Sequence, residues 1–433
     1  MNERTKHNLL WILIALTTIP FFFLVHIPMW GIDLDSRKSI ALYLSAAFGY
    51  VGVSLLIWEL ILGTRSISGL YFKDLVSKLK IHRFLGTYGM LLIFLHPVLI
   101  LYNYGESFGY LFVPNLSSSF DVGVTYGRYA LIGLLTIWIT SAVMRGKIAY
   151  RPWKYIHYLS YPVLLLSLLH VPATGSSFPE RGIQFFWLSF CVIVLVCTAL
   201  RLAQFFGCGK VMYRLTENQL LAQNITMLRL SPVEKSIEIR TGQYIYLQSR
   251  TFGEEHPFTV LDYDTQSGEI IVTLKVLGRF SEGLAVLPVG DILMLDGPYG
   301  TFTEERLIDP LAPAVFIAGG IGITPFVCHA LSNPESEQYV FWANQTKEVA
   351  VFREVLREKL GSRFVEVYSK ESTGGEGVEI GHIDGKLLSK YLSSPRRFQY
   401  FLCGPQAMMD AIKNTLLTLG VSGSQIYVEE FSF

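Results

Sequence analysis

Four histidines lie inside apolar stretches of this chain, in two pairs: His82 with His96, and His157 with His170. A histidine within a membrane helix is costly and marks function by default. Neutral imidazole is the commonest protein ligand for a transition metal. Steps of 14 and 13 residues correspond to about 21 and 20 Å of helix at about 1.5 Å per residue. If the two helices run in the same direction, His82 and His157 share one depth and His96 and His170 share another. Two imidazoles at each of two levels would ligate two stacked haems, a path for electrons across a membrane. The rotation fits less well. A 14-residue step returns within about 40° of the same face, whereas a 13-residue step misses it by about 140°. Pro162 lies between His157 and His170 and is expected to distort that helix. Arg83 and Arg128 sit at depths suited to haem propionates, and equally to ordinary interfacial charges. Glu59 is expected to reach the interface or an arginine. His7, His26, His329 and His382 show no partner pattern and read as structural.

These residues require membrane spans to hold them, and the composition supplies them. Of 433 residues, 51% are hydrophobic and 16% charged, with a mean hydropathy of +0.38, fewer charges than the roughly 25% of a soluble protein. The net charge of +1 points to no nucleic-acid partner and conceals an asymmetry. Residues 1–206 carry 16 Lys and Arg against 8 Asp and Glu; residues 207–433 carry 20 against 27. A membrane half followed by a water-soluble half is expected. Six runs approach the roughly 20 apolar residues of a spanning helix: about 9–30, 39–62, 82–102, 126–144, 155–171 and 183–206. The first follows Arg4 and Lys6 and reads as a signal anchor rather than a cleaved leader. With a cytoplasmic N-terminus, the inner segments hold ten Lys and Arg. The outer loops hold only Arg37, Lys38 and Arg181, in line with the positive-inside rule. Six crossings leave the soluble half in the cytoplasm of a multi-pass plasma-membrane protein. The five cysteines include no C-x-x-C pair, so neither a disulfide framework nor a zinc site is expected. No inverted repeat suggests a transporter.

Paired histidines at this spacing on the third and fifth of six spans resemble the ferric reductase and NADPH oxidase superfamily. From about 210 the sequence changes to short alternating strands, among them Ile225–Leu230, Tyr244–Gln248 and Ile270–Val276. About six such strands over about 95 residues suggest a small antiparallel barrel. It contains His256-Pro257-Phe258-Thr259, which could lie along a flat ring. It also contains Lys275-Val276-Leu277-Gly278-Arg279-Phe280-Ser281, where Arg279 and Ser281 could hold a pyrophosphate. These motifs, in this order and followed by Asp296-Gly297-Pro298-Tyr299-Gly300, resemble ferredoxin-reductase-like flavoproteins. The resemblance implies that Thr259 faces the flavin N5 region and that residues 278–281 hold the FAD phosphates.

The final 120 or so residues alternate strand and helix, as in a doubly wound sheet. The apolar run Val315–Ala318 leads into Gly319-Gly320-Ile321-Gly322-Ile323-Thr324-Pro325, whose glycines would let backbone amides meet a pyrophosphate. The spacing is G-G-x-G rather than the dinucleotide fingerprint, yet it resembles the pyridine-nucleotide site of the same reductases. Their Cys-Gly-Pro-x-x-Met motif recurs as Cys403-Gly404-Pro405-Gln406-Ala407-Met408, which implies that Cys403 lies near the nicotinamide. Ser369 and Lys370 occupy the stretch where NADP-linked relatives hold the 2′-phosphate, which favours NADPH over NADH. In Glu429-Glu430-Phe431-Ser432-Phe433, Phe431 fits the spacing of the aromatic that covers the flavin, with Phe433 as the rival.

The domains expected are a six-span di-haem domain (1–206), an FAD-binding barrel (207–306) and an NAD(P)H-binding α/β domain (307–433). The resemblance implies an electron-transfer enzyme whose catalytic residues are Thr259, Cys403 and Phe431. Electrons pass from NADPH to FAD and two b-type haems, then to oxygen, giving superoxide. The alternatives are a ferric-chelate reductase and an electron-donating membrane subunit for a periplasmic reductase. Superoxide-producing animal relatives carry a second His four residues after the outer ligand and an Arg on the second span. Here position 100 is Ile, and residues 39–62 contain no Arg. No Ca²⁺-binding loop or Pro-rich docking segment suggests an obligatory protein activator.

Overall fold

The computed structural model describes residues 3–18, 36–71, 75–175, 178–179, 181–240, 242–249, 253–302, 312–332 and 334–429. It divides into two compact units, Met1–Ala203 and Gln204–Phe433.

The first unit is helical. Five helices are long and apolar enough to cross a membrane: Arg37–Gly63, Lys78–Tyr104, Ser119–Val143, Tyr150–Thr174 and Arg181–Phe205. They match the second to sixth expected spans. The first expected span appears as the apolar helix Asn8–Thr18; residues 19–30 of it, including His26, lie outside the described residues. Large apolar side chains such as Phe185, Leu188, Leu195 and Leu202 point outward, as a lipid-facing surface requires.

The helices approach one another through glycines, as bundles in lipid do. A Cβ on Gly52 would come within 2.4 Å of Ile93, and one on Gly133 within 2.3 Å of Val163. Neither histidine-bearing span is regular between its histidines. In the third, a π turn at Leu85–Gly89 separates Leu75–Phe84 from Met90–Tyr104. In the fifth, the helix breaks at Tyr158–Leu159, between Tyr150–His157 and Ser160–Thr174. The distortion expected at Pro162 therefore falls at Tyr158–Leu159. Pro162 sits in the first turn of the new helix, where a missing N–H removes no helical hydrogen bond.

The second unit begins with six strands: β1 (Val211–Ala222), β2 (Ile225–Pro232), β3 (Tyr244–Gln248), β4 (Glu255–Tyr263), β5 (Ile270–Lys275) and β6 (Ile292–Tyr299). They close into an antiparallel barrel in the order β1-β2-β5-β4-β3-β6. Alternation fills its interior: Tyr213, Leu215, Leu228, Leu230, Ile245, Leu247, Val272 and Leu293 are buried inside it, every second residue of their strands.

Six further strands follow: β7 (Ala314–Gly319), β8 (Gln338–Asn344), β9 (Phe364–Tyr368), β10 (Val378–Ile380), β11 (Gln399–Cys403) and β12 (Ile426–Glu429). They form a parallel sheet in the order β10-β9-β8-β7-β11-β12. All six residues of β7 are buried, the continuous apolar run of a strand covered on both faces. Strand order reverses between β7 and β11. The crevice beyond the carboxyl ends of those two strands is where such sheets bind ligands.

Candidate functional site

In the membrane unit the four histidines converge as two pairs. The rings of His82 and His157 have centroids 6.1 Å apart and planes at 65°. Those of His96 and His170 are 6.3 Å apart at 80°. An iron bonded at about 2 Å to one nitrogen of each ring, with about 1 Å from nitrogen to ring centre, would separate the centres by about 6 Å. Each pair is thus spaced to hold one axially ligated iron.

Three of the four Nδ1 atoms are engaged by hydrogen-bonding partners that orient the rings, as ligating histidines require. His96 Nδ1 lies 2.8 Å from the Ser45 carbonyl and 3.0 Å from its hydroxyl. His170 Nδ1 lies 2.9 Å from the Gly123 carbonyl. His157 Nδ1 is 3.3 Å from Ser141 Oγ, in a second π turn at Ile139–Val143. Trp153 stacks on His157 at 5.1 Å and donates to the same Ser141 oxygen at 3.1 Å. His82 Nδ1 lies 2.9 Å from Glu59 Oε2, an ion-pair distance without the alignment of a hydrogen bond. Glu59 therefore meets a histidine, where an interface or an arginine was expected.

Close approach makes room for the second pair. A Cβ on Gly49 would sit 3.0 Å from His96, and one on Gly127 2.7 Å from His170. Neither glycine stood out in the sequence; the only signal is a small residue one span away from each ligand. Arg128, next to Gly127, is 5% exposed and lies over the Tyr110 ring at 4.2 Å. Its Nε has no hydrogen-bond partner, and no ion pair to it occurs among the described residues. Its Nη1 donates to Thr125 Oγ1 at 3.5 Å; a buried cation with an unsatisfied Nε suits a propionate. Arg83 is exposed.

In the second unit, β3 and β4 place Thr259 opposite Tyr244. Thr259 is 4% exposed, yet its hydroxyl makes no hydrogen bond. Burying a hydroxyl without a partner is costly, and a flavin nitrogen or oxygen would satisfy it. His256 stacks on Phe280 at 4.3 Å and 23°, and Phe258 lies parallel to the same ring at 6.2 Å. His256, Phe258 and Phe280 thus form one aromatic wall. The Ser281 hydroxyl accepts from the backbone N–H groups of Leu277 and Gly278 at 3.0 and 3.2 Å, and donates to the Gly278 carbonyl at 2.9 Å. It closes its own turn. Arg279 is exposed and has no ion pair among the described residues; Lys275 lies opposite Ile225 on the edge of the same segment.

The two glycine-bearing loops beyond β7 and β11 meet backbone to backbone. A Cβ on Gly322 would come within 2.4 Å of the Cys403 carbonyl oxygen, and one on Gly404 within 2.9 Å of Gly319 N. Gly319 likewise faces Pro405 and Met408 at 2.6 and 2.9 Å. Gly320, at φ +56°, turns the chain into the 3-10 turn Gly320–Ile323 and the helix Thr324–Ser332, whose second residue is Pro325. Trp342 Nε1 donates to the Gly320 carbonyl at 2.8 Å and fixes that turn.

Cys403 is fully buried and opposite Glu429. Burial first, and the Glu429 charge second, push its thiol well above the ordinary range, so it remains S–H and is no nucleophile. Gly300 links this point to the barrel: a Cβ there would lie 3.1 Å from Tyr244 and 3.7 Å from Glu429. Thr259, Tyr244, Gly300, Glu429 and Cys403 therefore form one connected region. Ser369 and Lys370 are exposed beyond β9, with their backbone N–H groups bonded to the Asn344 and Gln345 carbonyls. Phe431 and Phe433 lie outside the described residues.

Comparison with known proteins matches three successive segments of the chain. Residues 48–168 match the family described as ferric reductase like transmembrane component. Residues 212–303 match the oxidoreductase FAD-binding domain, and residues 316–414 the oxidoreductase NAD-binding domain. The chain is 27% identical over 238 residues to the reductase component of propane 2-monooxygenase from Rhodococcus jostii, covering 51% of this chain and 63% of that protein. It is 28% identical over 233 residues to the flavohemoprotein of Pseudomonas putida, covering 51% and 58%. The matches thus span less than two thirds of the length of these relatives. Among solved structures, the flavohaemoglobin of Malassezia yamatoensis aligns with 75% of this chain and 91% of its own, at 21% identity and a TM-score of 0.48.

Proposed function

Because this chain has the three-part architecture of the ferric reductase and NADPH oxidase superfamily, a multi-pass membrane component followed by FAD- and NAD-binding oxidoreductase domains, we propose that it carries electrons from cytosolic NADPH across the plasma membrane to oxygen. When bound, FAD and two b-type haems supply the redox chemistry, converting a hydride from the nicotinamide into single electrons. The protein supplies order and spacing. His82 and His157 hold the inner haem, and His96 and His170 the outer one. The observation that carries this reading is the spacing of the two imidazole pairs, 6.1 and 6.3 Å between ring centres.

Thr259 offers its unpartnered hydroxyl to the flavin ring, and His256, Pro257, Phe258 and Phe280 line it. Arg279 and Lys275 bring positive charge to the FAD phosphates, with the backbone at Gly278 open to them and Ser281 shaping the turn. Gly319, Gly320, Gly322, Ile323, Thr324 and Pro325 receive the nucleotide pyrophosphate beside Gly404, Pro405 and Met408. Ser369 and Lys370 favour the 2′-phosphate of NADPH by a charge-assisted contact. Cys403, held as a thiol, packs beside the nicotinamide. The role proposed for Phe431, by resemblance alone, is that of the aromatic cover of the flavin. No residue need act as nucleophile or general base.

With FAD and NADPH, the purified full chain is expected to consume oxygen and to reduce cytochrome c in a manner that superoxide dismutase abolishes. Anaerobic reduction of a ferric chelate, without oxygen uptake in air, would make the chain a ferric reductase instead. Activity that required an added protein would make it an electron-donating subunit.

A further inference from the structure

The four imidazoles differ in the charge of what orients them. The partners of His96, His170 and His157 are neutral: the Ser45 carbonyl and hydroxyl, the Gly123 carbonyl, the Thr174 hydroxyl and the Ser141 hydroxyl. His82 faces a carboxylate, Glu59 Oε2, at 2.9 Å. The structure holds that carboxylate in place. Gly86 lies in the π turn that follows His82. A Cβ on Gly86 would come within 3.3 Å of Oε2, so a glycine keeps the carboxylate within reach of the ring. Glu59 is 17% exposed, and no Lys or Arg pairs with it among the described residues. An acid within a span is costly to keep, and axial ligation needs only an orienting acceptor, which a carbonyl provides at the other level.

We propose that Glu59 is a positioning residue that sets the potential of the inner haem below that of the outer haem, so that the electron runs downhill from the His82–His157 level to the His96–His170 level. The inference rests on the haem-ligand reading above. The carboxylate 2.9 Å from the ring places a negative charge beside the iron that His82 would hold, and a negative charge near a buried iron favours the ferric state, more strongly where the dielectric is low. That lowers the inner potential.

The test is a potentiometric titration of the haem absorbance bands in the full chain with FAD, with haem content measured alongside. Two one-electron waves are expected. Glu59→Gln should raise the lower wave and leave the upper one in place. The change expected is at least tenfold in the partition of the electron between the haems, about 59 mV for a one-electron couple. Glu59→Asp, which keeps the charge, should restore much of the separation. The wild-type ferric protein should show two low-spin electron paramagnetic resonance signatures of different anisotropy, which converge in the Gln variant. Two haems per chain with both waves unmoved by Glu59→Gln would overturn the proposal. So would a single shared signature in the wild type, which decides the matter even if the variant loses haem. Fewer than two haems in the wild type would instead sink the ligand reading on which it rests.

Discussion

Replacing His96 by alanine is expected to remove one haem of two and to stop electron delivery to the outer acceptor, while NADPH still reduces the flavin. The argument is spatial. The His96 ring lies 6.3 Å from that of His170, oriented by Ser45 and packed against Gly49. Alanine leaves His170 with no opposite ligand at that level. Loss of a mere outer-shell partner costs about 10–100-fold in metal affinity or activity, so loss of the ligand should cost acceptor reduction at least that much. The His82–His157 pair does not involve Ser45 or Gly49, and its haem should remain. Pyridine haemochrome content and stopped-flow flavin bleaching read the two halves of the prediction separately. Two haems retained in His96→Ala would refute the ligand assignment.

The second large effect concerns the nucleotide site. Gly322→Ala places a Cβ 2.4 Å from the Cys403 carbonyl oxygen and 2.8 Å from its carbon. Those are backbone atoms at the end of a buried strand and cannot step aside as a flexible side chain could. Overpacking of this kind costs about 1–3 kcal/mol, with about 2–4 °C of Tm per kcal/mol in a domain of this size. It also separates the two loops that flank the crevice, so the KM for NADPH should rise about tenfold or more, equivalent to about 1.4 kcal/mol of binding. Gly283→Ala is the control: its Cβ would meet nothing within 4 Å and it lies within a helix, where alanine is the better residue. Equal Tm and KM in the two variants would show that contact between the loops is dispensable.

Much of this was legible in the sequence because it depends on local rules. Apolar runs of about 20 residues disclosed the spans, and alternation disclosed the barrel, since each strand has one dry face. The depth of the histidines followed from rise per residue alone. Their rotation did not. The π turn at Leu85–Gly89 depends on how neighbouring helices pack, whereas the break at Tyr158–Leu159 begins four residues before Pro162, where a proline ring crowds the carbonyl. The partner of Glu59 was missed for the same reason: His82 lies 23 positions away, on another helix. Gly49 and Gly127 carried no motif, and only tertiary contact shows what they admit. The loops at Gly319–Pro325 and Cys403–Met408 were each recognisable from their residues. Their mutual contact follows from β7 and β11 being neighbours, which is a property of the sheet order.

The central claim is a continuous path from nucleotide to membrane haem. The most direct measurement is an anaerobic absorbance spectrum of the purified full chain with FAD, before and after NADPH is added. The path predicts that the bands of reduced b-type haem appear as the flavin is turned over. Bleached flavin with no reduced-haem bands would contradict it, and would leave a soluble-type reductase attached to a membrane unit that receives no electrons.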